Sequence, residues 1–299
     1  MTPAVRATAL TKTFGSHTAV AGIDLTVNPG EVVAFLGTNG AGKTTTIDML
    51  LGLSAPTSGT VELFGMTPRA AIAKGLVSAV MQTGGLLGDV TVRDTMRMTA
   101  SLFAGTISID EAMARAGITE IATKRVQQCS GGQKQRLRFA MALVSDPALI
   151  VLDEPTTGMD VEGRQSFWQA IHADAQRGRT VVFATHYLEE ADQYADRIVL
   201  IRQGEIVADG TTAEIKAMAS GRRVEAELAG ATEQQIAAIP SAEEVTIRGN
   251  RVVIHTSDSD TVARYLLTHT EARDVTITSQ NLEQAFLRLT SQENPDATH

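Results

Sequence analysis

The sequence has little of what marks secreted, membrane-spanning or disulfide-bonded chains. Among its 299 residues there is one cysteine, so no internal disulfide can form. Apolar runs such as residues 148–152 are far shorter than the roughly 20 residues that a membrane-spanning helix needs. The first residues lack the basic and apolar regions of a secretory signal. We therefore expect a cytosolic chain that does not itself span a membrane.

A basic surface is also missing, because 34 acidic residues face 26 lysines and arginines and the formal net charge is −8. Nucleic acids attract proteins that carry an excess of positive charge. This balance therefore disfavours nucleic acid as a main partner. Since 43% of the residues are hydrophobic, a chain of this length can bury more than one domain core.

A phosphate-binding loop is predicted within EVVAFLGTNGAGKTTTIDML, residues 31–50, where a short apolar run meets a glycine-rich turn and then a helical pattern. Glycines let backbone N–H groups converge on phosphate oxygens at the N-terminus of the helix. Lys43 supplies charge for the β and γ phosphates, and Thr44 offers a hydroxyl for Mg²⁺. The alternative is a plain glycine turn with a solvated lysine. The predicted nucleotide-binding residues of the loop are Gly37, Thr38, Asn39, Gly40, Ala41, Gly42, Lys43, Thr44 and Thr45.

A second apolar run, ALIVLDEP, ends in two carboxylates. Ligands bind at the carboxyl ends of strands in open α/β sheets, so both side chains are expected near the phosphate-binding loop. Asp153 is predicted to hold Mg²⁺, directly or through water. Glu154 is predicted to orient and deprotonate an attacking water. The alternative is a surface acidic pair that closes a strand.

The single cysteine, Cys129, opens the stretch CSGGQ. A reactive thiol would need a lowered pKa and a neighbouring base, and no histidine lies nearby in sequence. After the glycines, apolar residues at helical spacing predict a helix at about residues 133–145. Ser130, Gly131 and Gly132 therefore lie at a helix N-terminus, a second anion-binding position that a nucleotide on the first loop does not need.

Together these motifs resemble the ATP-binding cassette (ABC) family over about residues 8–215. In that family, an LSGGQ-like signature from one subunit closes over the nucleotide held by the other subunit. The resemblance implies that Ser130, Gly131, Gly132 and Gln133 act in trans. Cys129 stands where leucine is usual, as a small apolar substitute.

Four further residues match the family's motifs in order. Phe14 matches the aromatic residue that stacks on adenine, and Gln82 the glutamine that senses Mg²⁺ and the attacking water. Asp160 matches the acid of the loop between the two sites, and His186 the histidine that contacts the γ-phosphate. The alternatives are a core aromatic, an ordinary loop residue, a turn and a structural histidine, respectively.

The resemblance implies an α/β fold, that of a P-loop NTPase of the ABC ATPase type, over residues 1–218. It comprises a parallel core sheet, an antiparallel β subdomain and a helical subdomain at about residues 83–145. The antiparallel strands are expected at residues 4–10 and 23–27. The methionines of the helical subdomain are either core residues or part of a surface that contacts a permease.

Residues 219–290 are predicted to form a small α+β domain with accessory or regulatory function. Alternating and helical patterns follow one another in the order βαββαβ, with a hairpin turn at residues 249–250, which is typical of a ferredoxin-like fold. A closing helix is predicted at residues 281–290. Residues 291–299 are expected to be a disordered tail.

The resemblance implies an ATPase subunit of an ABC transporter, with ATP and Mg²⁺ as cofactors. It implies a dimer, expected to be a homodimer, at the cytoplasmic face of the membrane, where a separate integral membrane permease binds it. The stretches THYLEEAD and NLEQAFLRLT resemble daunorubicin-resistance type ABC ATPases. That narrower resemblance implies export of a drug-like or hydrophobic compound.

Three other functions stay open. An ABC importer ATPase shares every nucleotide motif, because the permease largely decides the direction of transport. A soluble ABC ATPase acting on DNA or ribosomes would usually have long coiled-coil insertions or two cassettes, whereas this acidic chain has one cassette. A P-loop kinase would leave the signature and His186 without a role.

Overall fold

The computed structural model describes residues 2–81, 85–218, 222–228, 230, 235–236, 238–279, 282 and 286. The chain divides into two compact units, Met1–Asp209 and Gly210–His299. The strands up to residue 211 are β1 (Val5–Phe14), β2 (His17–Val27), β3 (Val32–Leu36), β4 (Ser58–Leu63), β5 (Val77–Val80), β6 (Leu149–Asp153), β7 (Thr180–Thr185), β8 (Arg197–Arg202) and β9 (Glu205–Thr211). The helices up to residue 218 are α1 (Lys43–Leu50), α2 (Pro68–Ala73), α3 (Val92–Ala100), α4 (Ile109–Arg115), α5 (Gly131–Leu143), α6 (Val161–Ala175), α7 (Leu188–Tyr194) and α8 (Thr212–Met218).

The predicted parallel core sheet is confirmed. Among the described residues it has six strands in the order β5-β6-β7-β3-β8-β9, and β5, β6, β7, β3 and β8 pair in parallel. Every residue of β3, β6 and β7 is buried, which explains their nearly continuous apolar sequences. Leu36 of β3 pairs with Thr185 of β7, whereas Asp153 of β6 pairs with Ala184. This register brings the carboxyl ends of all three strands to one edge.

The predicted antiparallel subdomain is also confirmed, as a sheet in the order β2-β1-β4. Its first two strands are longer than residues 4–10 and 23–27, because the hairpin pairing continues to Phe14 and His17. Gly15, with φ of 58°, makes the tight turn between them. The residues near the hairpin turn are partly exposed and polar, so the pattern of apolar residues did not predict this part of the strands. The extension carries Phe14 to the hairpin tip.

The helical subdomain contains α3, α4, α5 and two short 3₁₀ helices, Thr119–Ile121 and Val126–Gln128. Its α-helices begin at hydroxyl caps, since Thr91, Ser108 and Ser130 each accept a backbone N–H three residues later. Because Ser130 caps α5, this helix begins at Gly131, two residues before the predicted start at residue 133. Several methionines and aliphatic side chains form the interior of this layer, among them Met96, Met113, Leu137 and Leu143.

In the second unit, strands β10 (Arg222–Glu227), β11 (Glu244–Arg248), β12 (Arg251–Thr256) and β13 (Arg273–Ser279) form an antiparallel sheet in the order β11-β12-β10-β13. Helix α9 (Ser259–His269) contributes Val262 and Leu266 to the unit's core. The predicted hairpin is confirmed, because Arg248 pairs with Arg251 across residues 249–250.

Parts of the C-terminal prediction lie outside the described residues. These are most of the first predicted helix, at residues 231–239, most of the closing helix and the whole tail at 291–299. The ferredoxin-like assignment and the domain bounds of 1–218 and 219–290 therefore stay predictions. Over the ranges that the structure describes, no helix has the length and apolarity needed to cross a bilayer.

Candidate nucleotide-binding site

A cleft of about 460 Å³ opens at the carboxyl edge of the core sheet. The phosphate-binding loop, the strand ends after β6 and β7 and the β1–β2 hairpin all contribute to it. This arrangement brings together Phe14, Lys43, Glu154 and His186, which are far apart in sequence. The residues that line the cleft are Phe14, His17, Ala19, Asn39, Gly40, Gly42, Lys43, Thr44, Thr45, Glu154 and His186.

Helix α1 begins at Lys43 without a side-chain cap and without an acidic residue in its first turn. Its first N–H groups are therefore available to an anion, which the helix dipole favours. The ammonium of Lys43 donates to the carbonyl oxygens of Gly37 (2.8 Å) and Thr38 (3.1 Å). Burial lowers the pKa of Lys43, and the charges of Glu154 and Asp153 oppose that change. A bound phosphate would add further negative charge close to the Lys43 ammonium.

The three predicted loop glycines are needed for different reasons. Gly40 is favoured by its backbone conformation, with φ of 80°, and not by close packing, because a Cβ there would meet nothing within 4 Å. A Cβ on Gly42 would lie 2.4 Å from the Ala19 carbonyl oxygen, and one on Gly37 equally close to that of Ile201. Gly37 and Gly42 are thus required by close packing against neighbouring backbone, in addition to the phosphate approach inferred from sequence.

Two oxygen ligands suited to Mg²⁺ lie beside the phosphate-binding loop. The hydroxyl of Thr44 donates to Oδ1 of Asp153 at 3.5 Å. Asp153 is 1% exposed, and burial raises the pKa of its carboxyl group, which the Thr44 hydrogen bond opposes. A bound cation would favour the ionised carboxylate. No cluster of three metal-binding side chains occurs among the described residues, but Mg²⁺ commonly takes one or two protein ligands plus phosphates and water.

Glu154 is presented by an unusual backbone conformation. Its φ is 46°, in the left-handed region that non-glycine residues rarely adopt, and its N–H donates to the Ala184 carbonyl of β7 at 2.9 Å. Oε1 lies 3.2 Å from Nδ1 of His186, and Oε2 accepts the Thr157 hydroxyl at 3.3 Å. The structure therefore places the predicted base and the predicted γ-phosphate ligand in direct contact. Gln82, the other predicted member of this group, lies outside the described residues.

The signature residues lie at the start of α5 and do not line the cleft. The Ser130 hydroxyl accepts the Gln133 N–H at 3.2 Å, while Oε1 of Gln133 accepts the Ser130 N–H at 3.1 Å and the Lys124 ammonium at 3.1 Å. Gln133 thus completes a capping box within its own chain. Gly131 packs against the loop between β6 and α6, since a Cβ on Gly131 would lie 3.4 Å from the Gly158 carbonyl oxygen.

Asp160 and Cys129 also have local contacts. Asp160 caps α6 by accepting the Gly163 N–H at 3.0 Å, and it too lies apart from the cleft lining. Cys129 is 6% exposed, and its thiol donates weakly to the Arg125 carbonyl at 3.6 Å. Burial of the thiol supports the interpretation of Cys129 as an apolar substitute and leaves it poorly accessible as a nucleophile.

Sequence reasoning missed two residues of the cleft. His17 pairs with Phe14 across the hairpin turn, so a hairpin predicted at Gly15 would have found it. Ala19, whose carbonyl oxygen packs against Gly42, carries no signal in the sequence.

Phe14 should contribute to ATP affinity through stacking. It is 53% exposed at the cleft, with the Lys12 ammonium 5.0 Å from its ring centroid, so its removal should leave the fold intact. We expect Phe14→Ala to weaken ATP binding roughly 5- to 150-fold, since stacking of a base on an aromatic ring is worth about 1–3 kcal/mol. Equilibrium ATP binding would measure the loss. Phe14→Trp should bind like the wild type, and unchanged affinity of Phe14→Ala would contradict the stacking role.

Comparisons with known proteins identify the family. The family described as "ABC transporter" matches residues 20–157. The chain is 36% identical to Nod factor export ATP-binding protein I of Paraburkholderia xenovorans, over 95% of this chain and 96% of that protein. The protein of the same name from Rhizobium etli is 32% identical, over 95% and 92%.

Solved structures show the same fold. CbiO1 from Clostridium perfringens, part of the ABC transporter complex cbiONQ, is 26% identical with a TM-score of 0.65, over 73% of this chain and 92% of that one. A dimeric ATP-binding cassette in a post-hydrolysis state, with ADP and phosphate bound, is 25% identical with a TM-score of 0.62, over 69% and 98%. The predicted fold class is confirmed. The chain therefore belongs to the ABC transporter family, as an ATP-hydrolysing, nucleotide-binding subunit of a transporter.

Proposed function

We propose that this subunit powers export through a separate membrane permease and that the exported compound is drug-like or hydrophobic. The observation that carries export is the similarity to Nod factor export ATP-binding proteins, which extends over 95% of this chain and so includes its second unit. The resemblance to daunorubicin-resistance type ATPases supports a drug-like substrate. We place the subunit at the cytoplasmic face of the membrane, bound to the permease.

In the proposed site, the N-terminus of α1 and the Lys43 ammonium bind the β and γ phosphates of ATP. Phe14 stacks on the adenine ring. Thr44 and Asp153 would hold Mg²⁺, with Gln82 as a further contact; when bound, the ion would neutralise phosphate charge and orient the γ-phosphate. The remaining nucleotide contacts come from the loop residues Gly37 to Thr45.

Hydrolysis is assigned to Glu154 and His186. Glu154 accepts a proton from water while that water attacks the γ-phosphorus. The bond from the γ-phosphorus to the β,γ-bridging oxygen breaks and ADP leaves with that oxygen, while His186 donates a hydrogen bond to a γ-phosphate oxygen. Their 3.2 Å contact supports this pairing, because it holds the imidazole and carboxylate on the same side of the cleft. Thr157 restrains the other carboxylate oxygen.

The second ATPase subunit is proposed to be a copy of this chain. Ser130, Gly131, Gly132 and Gln133 lie apart from the cleft of their own chain, so a facing copy would bring them to its nucleotide. Asp160 lies in the loop that packs beside the signature and would join the two sites. Each site in the homodimer would then combine the loop of one subunit with the signature of its partner.

The permease is proposed to contact the helical subdomain. A cavity of about 330 Å³ lies between β5 and helices α3 and α5, with Met81, Leu86, Phe103, Arg138 and Met141 among its lining residues. Leu102, which precedes the lining residue Phe103 in the chain, is 80% exposed. Exposed apolar side chains around an apolar cavity are typical of a protein-binding surface. A cytoplasmic helix of the permease is the proposed occupant.

Co-purification tests this function. Tagged chain from detergent-solubilised host membranes should carry a polytopic membrane protein in stoichiometric amount, identified by mass spectrometry. Leu102→Asp should lose this protein and keep ATP hydrolysis, whereas Leu53→Asp, at a 66% exposed position after α1, should keep both. Ribosomal proteins or nucleic acid in place of a permease would favour the soluble ABC ATPase. Transport into inside-out vesicles distinguishes export from import.

A further inference from the structure

Glu190, on α7, is a buried carboxylate for which sequence analysis found no role. It is 3% exposed, and both of its oxygens accept hydroxyl groups. Thr156 donates to Oε1, and Thr185 donates to Oε2 at 2.7 Å. A carboxylate is costly to bury unless hydrogen bonds compensate for lost water. The contacts therefore mark a built site rather than an incidental surface acid.

The two hydroxyls belong to the two segments that carry the hydrolytic residues. Thr156 lies two residues after Glu154, in the loop between β6 and α6. Thr185 ends β7 and directly precedes His186. One carboxylate thus spans the two strand ends whose side chains meet at 3.2 Å.

Thr185 also restrains the peptide bond between His186 and Tyr187. The N–H of Tyr187 donates to Oγ1 of Thr185 at 3.0 Å, while the Thr185 hydroxyl donates to Glu190. The peptide that follows His186 is held in one orientation as a result. The backbone on either side of His186 is therefore restrained while its Nδ1 contacts Glu154.

Arg164 extends the contacts to α6. Its Nε lies 3.8 Å from Oε1 of Glu190, and its guanidinium carbon lies 4.4 Å from the Tyr187 ring centroid. Arg164 is in the first turn of α6, where its N–H donates to the Asp160 carbonyl at 3.0 Å. The network therefore reaches from the strand end at His186 to the loop proposed to join the two nucleotide sites.

We propose that Glu190 is a positioning residue for ATP hydrolysis. Through Thr185, and anchored against Thr156, it keeps His186 in contact with Glu154. This inference rests on the proposed role of His186. Glu190 is not among the residues that line the cleft, so it acts on the reaction only through its neighbours.

The test uses the full chain with MgATP. Glu190→Gln keeps the size of the side chain but replaces one acceptor oxygen with a donor, so one of the two hydroxyl bonds must rearrange. We expect kcat to fall about tenfold with KM for ATP changed less than about twofold, because a misplaced reacting group costs rate more than binding. Glu189→Gln, the same change at an exposed position of the same helix, should leave both constants and the unfolding temperature unchanged.

A double-mutant cycle separates positioning from general structural support. If Glu190 acts through His186, the combination of Glu190→Gln with His186→Ala should be no slower than His186→Ala alone. A general weakening of the fold would instead multiply the two losses. Should Glu190→Gln fail to fold, Thr185→Val removes one of the two hydroxyl donors while conserving shape, and the same cycle applies to it.

Each outcome decides the inference. Multiplied losses, or wild-type kcat in Glu190→Gln beside an impaired His186→Ala, would overturn the role of Glu190 and leave the proposed function standing. Wild-type kcat in His186→Ala would remove the proposed role of that histidine and the inference with it. A tenfold loss of kcat that disappears in the His186→Ala background supports the positioning role.

Discussion

Glu154→Gln should lower ATP turnover at least about 100-fold while ATP still binds, because loss of a general base typically costs 10²- to 10⁴-fold in rate. Glutamine keeps the size of the side chain and one of the two oxygens that contact His186 and Thr157, so the fold should be preserved. Steady-state phosphate release gives the rate, and equilibrium ATP binding gives the affinity.

Glu162→Gln provides the matched control for Glu154→Gln. It makes the same chemical change at an exposed position in the first turn of α6, outside the cleft lining. Its turnover should match the wild type. Wild-type turnover in Glu154→Gln itself would refute the assignment of the base and direct attention to another carboxylate of the site.

The second large effect concerns the signature. Ser130→Arg should abolish hydrolysis without preventing ATP binding, because it places a bulky cation where a facing nucleotide would approach the start of α5. Lys43→Ala should also abolish hydrolysis, in this case by removing the charge at the phosphate-binding loop. Each variant alone is therefore expected to be inactive for a different reason.

Mixing these two inactive variants tests whether the site is composite. A mixed dimer contains one site with an intact Lys43 from one subunit and an intact Ser130 from the other. Random pairing of equal amounts should restore up to about a quarter of wild-type turnover if the sites work independently. Each variant mixed with itself is the control. A mixture no more active than its components would argue against hydrolysis at independent, composite sites.

The strand ends that form the nucleotide-binding cleft could be predicted from the sequence because they lie within short local motifs. Gly37 to Thr44 follow the fully buried strand β3, Asp153 ends the fully buried strand β6, and Glu154 comes next. Parallel pairing brings such strand ends together. The strand ends could therefore be assigned to one edge before any coordinates were known. The predicted start of α5, at about residue 133, is two residues late, because Gly131 and Gly132 belong to the first turn of the helix after the Ser130 cap.

What the sequence could not show are contacts between distant segments. The hydrogen bond of Thr156 to Glu190 joins residues 34 positions apart, and no periodicity marks either as a partner. The need for glycine at positions 37 and 42 comes from carbonyl groups of Ile201 and Ala19, whose approach depends on tertiary packing. The predicted role of Gln133 in trans gave no sign that its side chain stabilises its own helix.

The left-handed backbone at Glu154 implies that stability and catalytic activity favour different residues at this position. A non-glycine residue held in that conformation costs of the order of 1 kcal/mol or more, and glycine would relieve the cost. Glycine would also remove the carboxylate that activates water. Selection for thermal stability alone would therefore enrich substitutions of Glu154 that stabilise the fold but abolish ATP hydrolysis. A library of thermostable variants of this chain must be screened for ATP turnover as well as for thermal stability.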